Sequence, residues 1–175
     1  MSDKELVIRA KDGDAHAFTI LYGKYKKKLY GYAFYRLGNK ADAEDAVQDC
    51  VLSAFEQINK LKKAESFSSW IFRILYCCCT SAVKEQIRQR NTDNIEDYAN
   101  VFTITYDETK EQTELKQALE VLSDEEREIV LLSVVAGFKS KEIAQISGLT
   151  AGSVRSKLSR SLAKLKNELV RGDAL

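Results

Sequence analysis

Three contiguous thiols, Cys77, Cys78 and Cys79, with Cys50 upstream, are the side chains whose type most readily suggests chemistry, either a metal centre or a redox switch. Their spacing speaks against both. Each residue of a helix turns about 100° from the last, so three neighbours point in three directions and cannot close on one ion. The four cysteines also lack the spaced pairs of a disulfide framework or zinc motif, and read as free thiols in a reducing compartment. Cys78 and Cys79 fit the apolar side of a helix as small buried hydrophobes, whereas Cys77 falls on its polar side. His16, the single histidine, is expected to be structural. No carboxylates join His or Cys at ligand spacing, so no metal, no cofactor and no catalytic constellation is expected.

The cations carry a different chemistry. On a helix from about Phe67 to Arg90, Trp70, Arg73, Cys77, Ser81, Lys84 and Arg88 form one stripe bordered by Thr80. Ile71, Leu75, Cys78, Cys79 and Ala82 lie opposite, with Phe72 and Val83 at the edge. Arginines and lysines interleaved with a tryptophan suit single-stranded nucleic acid, where cations track phosphates and a ring stacks on a base. The competing reading makes Trp70 a core-edge residue and the cations merely solvated.

Near the C-terminus, "KSKEIAQISGLTAGSVRSKLSRSLAKLKNEL" has the layout of a helix-turn-helix, with Ser140 capping a short helix through Ile146, Gly148 in the turn and Thr150 capping a longer helix. Val154, Leu158, Ser161, Leu162, Leu165 and Leu169 fall on one side of that longer helix, to pack on Ile143, Ala144 and Leu149. Ser153, Ser156, Lys157, Arg160 and Lys164 fall on the other, with Arg155 on a flank. Such a face suits the base edges of a major groove. A third surface lies on the helix from about Asp42 to Ile58. Its buried side is Ala43, Val47, Cys50, Val51, Ala54 and Ile58, while Asp45, Gln48, Asp49, Leu52 and Glu56 face away. A leucine exposed among carboxylates suits a basic protein partner.

The elements that must position these faces are helical throughout. The chain of 175 residues has no proline, and residues of high helix propensity dominate most of it, so the expected fold is all-α. Helical spacing runs from Leu6 to Leu37 with a break at Gly13-Asp14, and Gly38-Asn39 separates it from the next helix. Ser123 and Glu126 form a capping box before "REIVLLSVVAG". A hydrophobic fraction of 45% and a charged fraction of 30% are those of a globular protein. Neither a long apolar run nor a secretory leader is evident at the N-terminus, and a cytoplasmic location is expected. The net charge of +1 is segregated: residues 60–90 carry seven basic and two acidic side chains, 91–128 three and twelve, and 137–171 eight and two. Two anionic contacts flanking a segment that avoids them fit this layout. The expected organisation is a first domain over 1–90, an acidic linker over 91–113 in which "VFTIT" is a docked loop, and a second domain over 114–175.

Taken together, "ADAEDAVQDCVLSAFEQI", "ESFSSWIFRIL" and "LSDEEREIVLLSVVAGFKSKEIAQISGLTAGSVRSKLSRSLAKLK" resemble, in that order, regions 2 and 4 of bacterial sigma-70 family RNA polymerase sigma factors of the extracytoplasmic-function type. The resemblance implies a transcription initiation factor, not an enzyme, that binds core polymerase and promoter DNA. Asp45, Gln48, Asp49 and Leu52, with Glu56 beside them, match the surface for the clamp helices of the largest subunit; the flap is a further polymerase contact. The turn holding Lys62, Lys63 and Ser66 and the helix carrying Trp70, Arg73, Cys77, Ser81, Lys84 and Arg88 match the part that melts and reads the −10 element. Ser153, Arg155, Ser156, Lys157 and Arg160 match the −35 reader. Cys77 and Ser81 stand where many relatives carry asparagine and aspartate. An anti-sigma factor is a further implied partner. The alternative is a helix-turn-helix regulator that acts without melting a promoter, though the Asp45 face and the Trp70 stripe argue against it.

Overall fold

The computed structural model describes residues 1–92 and 109–173. Among these residues every regular element is helical, and each helix start has a local cause. Ser2 and Glu5 form a reciprocal capping box at α1 (Asp3–Lys11). Gly13 turns the chain at φ 93°, and the Asp14 side chain caps α2 (Ala15–Leu37). His16, expected to be structural, is exposed on the first turn of α2. Gly38 ends α2 in the left-handed conformation, and Asn39 accepts the Asp42 N–H at 2.8 Å to open α3 (Lys40–Gln57). Two short 3₁₀ turns, Ile58–Lys60 and Ala64–Ser66, lead into α4 (Phe67–Thr92).

A Thr109–Gln112 capping box starts α5 (Lys110–Leu119). The interval expected to be linker thus holds the end of α4 and the first turn of α5, and "VFTIT" lies outside the described residues. The Ser123–Glu126 box opens α6 (Asp124–Val134), and Gly137 follows it at φ 80°. At α7 (Ser140–Ser147) the cap position is held by Lys139 rather than Ser140, because Glu142 reaches back to accept the Lys139 N–H at 2.8 Å. Gly148 turns at φ 79°, and the Thr150 hydroxyl accepts the Ser153 N–H at 3.2 Å to open α8 (Ala151–Asp173).

Helices α1–α4 enclose Leu6, Leu21, Leu29, Tyr32, Phe67 and Leu75, and α5–α8 enclose Leu119, Ile129, Leu132, Ile143 and Val154. The predicted inner side of α3 is buried at Ala43, Val47, Cys50, Ala54 and Ile58, with Val51 half-buried. On α8, Val154 and Ser161 are fully buried and Leu165 nearly so, but Leu162 and Leu169 remain 39% and 41% exposed. A helix of this length spans about 35 Å and outruns the shorter α6 and α7 beneath it.

The two modules touch. Helix α2 lies on α6, and α4 on α7. Gly31 allows the first approach, since a Cβ there would sit 3.3 Å from Cγ1 of Val135. Phe72 meets Phe138 edge to face at 5.1 Å and is fully buried, rather than at the edge of the apolar side, because the second module covers it.

Candidate nucleic-acid interface

The foot of α4 gathers five of the residues expected to read DNA. Lys62, Lys63, Ser66, Trp70 and Arg73 line one cavity of about 340 Å³, shared with Leu61, Ser69, Gln145 and Ile146. Its geometry is held from several sides. Lys11 of α1 donates to the Leu61 carbonyl at 2.6 Å and so pins the turn that presents Lys62 and Lys63. Phe67, wedged against Tyr25 at 5.4 Å, carries the Trp70 ring at 5.9 Å. Trp70 is half-buried: one part of the ring packs on the core while the cavity receives the rest. Further along α4, Cys77, Ser81, Lys84 and Arg88 are exposed on the same stripe, Arg88 in a surface ion pair with Glu85 at 2.6 Å.

The cysteines separate by direction, as helix phase requires. Cys50 and Cys79 are buried, Cys78 is half-buried rather than fully so, and Cys77 is exposed. Burial pushes the Cys79 thiol up to about 12 and raises Cys50 and Cys78 as well, so these three stay protonated and unreactive at neutral pH. Cys50 also donates to the Ile71 carbonyl at 3.6 Å, a packing role between α3 and α4.

On α8, Arg155, Ser156 and Arg160 are exposed, and Ser153 and Lys157 are half-exposed. Lys157 pairs with Glu125, and Lys164 pairs with Glu126 at 2.7 Å, so acidic residues of α6 flank this face of α8 within its own module. On α3, Asp45, Gln48, Asp49 and Glu56 are exposed, with Leu52 56% exposed. Phe55, which the sequence reading did not single out, is 47% exposed beside them, with its ring edge to face with Phe18 at 5.2 Å. Gln48 and Leu52 also border a mostly apolar groove of about 370 Å³ between α2 and α3, with Tyr22, Tyr30, Val47 and Val51 along it.

Between the modules lies a buried polar cluster that sequence reading missed. Arg36 is only 2% exposed and stacks between the rings of Tyr32 and Tyr76 at 5.9 and 5.0 Å. It donates to the Tyr76 carbonyl at 3.1 Å and the Thr80 hydroxyl at 3.0 Å on α4. Across the junction it meets Glu128 at 3.0 Å and Asp124 at 3.3 Å. Burial would lower the Arg36 value, but Tyr32, Asp124 and Glu128 outweigh it and hold the guanidinium charged. Burial pushes the Glu128 carboxyl up to about 7, against the pull of Arg36. A glutamate inside the apolar run of α6 was the only hint available in the sequence.

Comparison with known proteins places both modules. Sigma-70 region 2 matches residues 21–91, and sigma-70 region 4 matches residues 112–165. The ECF RNA polymerase sigma factor SigM of Mycobacterium tuberculosis is 28% identical over 164 residues, which cover 94% of this chain and 83% of the relative. Among solved structures, the sigma factor RpoE of Bartonella quintana in complex with the anti-sigma factor NepR aligns at a TM-score of 0.62 and 27% identity, over 81% of this chain and 89% of that one. CnrH in complex with the cytosolic domain of CnrY shares the fold, at a TM-score of 0.74 and 22% identity over 97% of both chains. Regions 2 and 4 on one all-helical chain define a promoter-specific transcription initiation factor, a protein that binds core RNA polymerase and promoter DNA. The chain belongs to the sigma-70 family of RNA polymerase sigma factors, in its extracytoplasmic-function branch.

Proposed function

We propose a division of labour among the three faces. Asp45, Gln48, Asp49, Leu52 and Glu56 of α3 dock on the clamp helices of the polymerase largest subunit, with Phe55 adding apolar area at the centre of the contact. The second module, residues 114–175 with most of α5 and all of α6–α8, meets the flap and lays α8 in the major groove of the −35 element, where Arg155, Lys157 and Arg160 contact base edges or phosphates and small Ser153 and Ser156 permit close approach. The first module, residues 1–90, melts and reads the −10 element. There Lys62, Lys63, Arg73, Lys84 and Arg88 track the strand, Ser66 lines the pocket, Trp70 stacks on a base, and Cys77 and Ser81 take the reading positions. Residues 91–113 join the modules.

The observation that carries this reading is the cavity at the foot of α4, where an aromatic ring, two lysines, an arginine and a serine converge. Extruding a base from the duplex costs a few kcal/mol, offset by stacking worth about 1–3 kcal/mol per base and by phosphate contacts. Two weak DNA contacts held on one polymerase gain through effective concentration, so neither module alone binds a promoter tightly. RNA synthesis remains the chemistry of the polymerase, and the protein itself is not an enzyme. Its place of action is the cytoplasm, beside the polymerase. RpoE was solved with the anti-sigma factor NepR, which supports an anti-sigma factor as a further partner of this chain.

The test is melting. With core polymerase and a cognate promoter, permanganate should modify −10 thymines, and Trp70→Ala should reduce that modification by about tenfold, as the loss of one stacking contact implies. Equal reactivity with the variant would remove Trp70 from base capture.

A further inference from the structure

The first turn of α6 carries three carboxylates, and each has its own partner. Asp124 turns to Arg36 at 3.3 Å, whereas Glu125 and Glu126 reach across to α8, one to Lys157 and the other to Lys164 at 2.7 Å. Lys157 and Lys164 stand two helical turns apart, so they leave α8 within about 20° of each other, on the edge that faces α6. Inside that edge lie the fully buried Val154 and Ser161, and outside it the exposed Ser156 and Arg160. Glu126 is fixed twice: its Oε1 accepts from Lys164 and its Oε2 accepts the Ser123 N–H at 3.0 Å. Those two contacts hold its carboxyl below the ordinary glutamate range, so the pair stays charged at neutral pH. Arg155 and Arg160 are exposed, and among the described residues neither is in an ion pair. Cations along this face are thus of two kinds, tied lysines at the edge and open arginines beyond it.

We propose that Glu125 and Glu126 are positioning residues that sharpen the sequence discrimination of α8, by tying Lys157 and Lys164 to one place at its edge and leaving Arg155 and Arg160 as its open charges. The inference rests on the assignment of α8 to the −35 duplex. Free lysines on a DNA-binding face attract every phosphate, and that sequence-independent attraction works against discrimination. A tied lysine differs in two respects: the carboxylate beside it cancels its charge at a distance, and its long side chain keeps one position. An ammonium has three N–H donors, so Lys157 gives one to Glu125 and keeps others for a phosphate that arrives at that place. The register in which Arg155, Ser156 and Arg160 meet their base edges brings a phosphate there, since backbone contacts and base contacts are made together. In other registers the phosphates meet a neutral pair or the carboxylate itself. Surface ion pairs add little to stability, so the larger consequence of these two is where they put the charge.

Glutamine removes the charge at either position, and at 126 it can still close the capping box with Ser123. Holoenzyme assembled from core polymerase and the full-length chain is titrated, over a series of salt concentrations, on two fluorescein-labelled promoter duplexes that share the −10 element. One carries the cognate −35 element and the other a scrambled one, so the contacts made by core polymerase cancel in the ratio of the two affinities. Glu125→Gln combined with Glu126→Gln should strengthen binding to the scrambled duplex by about tenfold near 0.1 M salt, and to the cognate duplex by less, so the ratio falls. Two released lysines should also steepen the logarithmic salt dependence on the scrambled duplex by about 1 to 2, one phosphate for each. Glu125→Gln alone, which leaves the α6 cap untouched, should move both readouts about half as far. Adding Lys157→Gln and Lys164→Gln to the double variant should return the salt slope to the wild-type value, a reversal that a structural role for the glutamates would not produce. An unchanged ratio in the glutamine variants would overturn the proposal. Equal strengthening on both duplexes would overturn it too, by reducing the glutamates to a plain repulsion of DNA. Wild-type holoenzyme that binds the two duplexes alike would instead overturn the assignment of α8 to the −35 element, and the inference with it.

Discussion

Arg73 donates to the Gln145 and Ile146 carbonyls that end α7, at 2.7 and 3.3 Å, while the proposed function assigns it to the phosphates of a melted strand, and Arg160 provides the contrast. Arg160 is open on α8, its Nε turned back only to the Ser156 carbonyl at 3.3 Å, so it can meet duplex DNA without rearrangement. Arg160→Ala should lower transcription from a cognate promoter by about tenfold, the cost of one good base contact, with the loss confined to templates that keep the −35 element. An equal loss on a template with a scrambled −35 element, measured by run-off transcription, would contradict that assignment. Much of this scale was legible in advance. Helix phase alone separated Cys77 from Cys79, and it aligned Trp70, Arg73 and Lys84. What phase could not supply was the company each residue keeps: that Cys78 stays half-buried, that Lys157 is paired with Glu125, or that His16 is exposed.

At the scale of the elements, local chemistry explains where helices begin and end. Asn39, Ser123 and Thr150 cap the helices that follow them, and Gly38, Gly137 and Gly148 take the left-handed turns, because each of these signals acts within a few residues. Thr109 escaped notice because its partner Gln112 lies in a polar segment, and Lys139 because lysine is not a usual cap residue and the adjacent Ser140 offers the expected side chain. Helix α3 shows how an element holds the proposed docking face in place. Its inner side of Ala43, Val47, Cys50 and Ala54 is fixed in the core, so Asp45 and Asp49 are held at a constant angle to solvent. Replacing both by lysine should abolish co-purification with core polymerase, since like charges across a rim repel, while thermal unfolding shifts little for two exposed sites. Retained binding in that pull-down would move the polymerase contact elsewhere.

For the whole molecule, the junction decides behaviour, and periodicity cannot reveal it. Phe72 and Glu128 each look like an ordinary residue of its own helix; only the meeting of α2 with α6 and α4 with α7 makes one a contact across modules and the other a buried carboxyl. Glu128 is faced by Arg36 and Tyr32 from α2, by Tyr76 from α4, and by Asp124 on its own helix. Burial raises its value from 4.5 to about 7 when docked, so the docked state holds the proton more tightly than the open one. Docking is therefore favoured by this group below its ordinary value, and that contribution fades as pH rises through about 7. Trp70 quenching should accordingly increase between mildly acidic and mildly alkaline buffer, and Glu128→Gln should flatten the profile in the docked direction. A steeper profile in Glu128→Gln than in wild type would assign the pH response to another group.

The initiation role itself meets its most direct trial in reconstituted transcription. Core polymerase stripped of sigma factors, supplied with this protein and with DNA carrying promoters of the source genome, should begin transcripts at defined start sites that vanish when either the −10 or the −35 element is scrambled. Defined binding of the protein alone to duplex DNA, with no start site produced on any of those promoters, would contradict it.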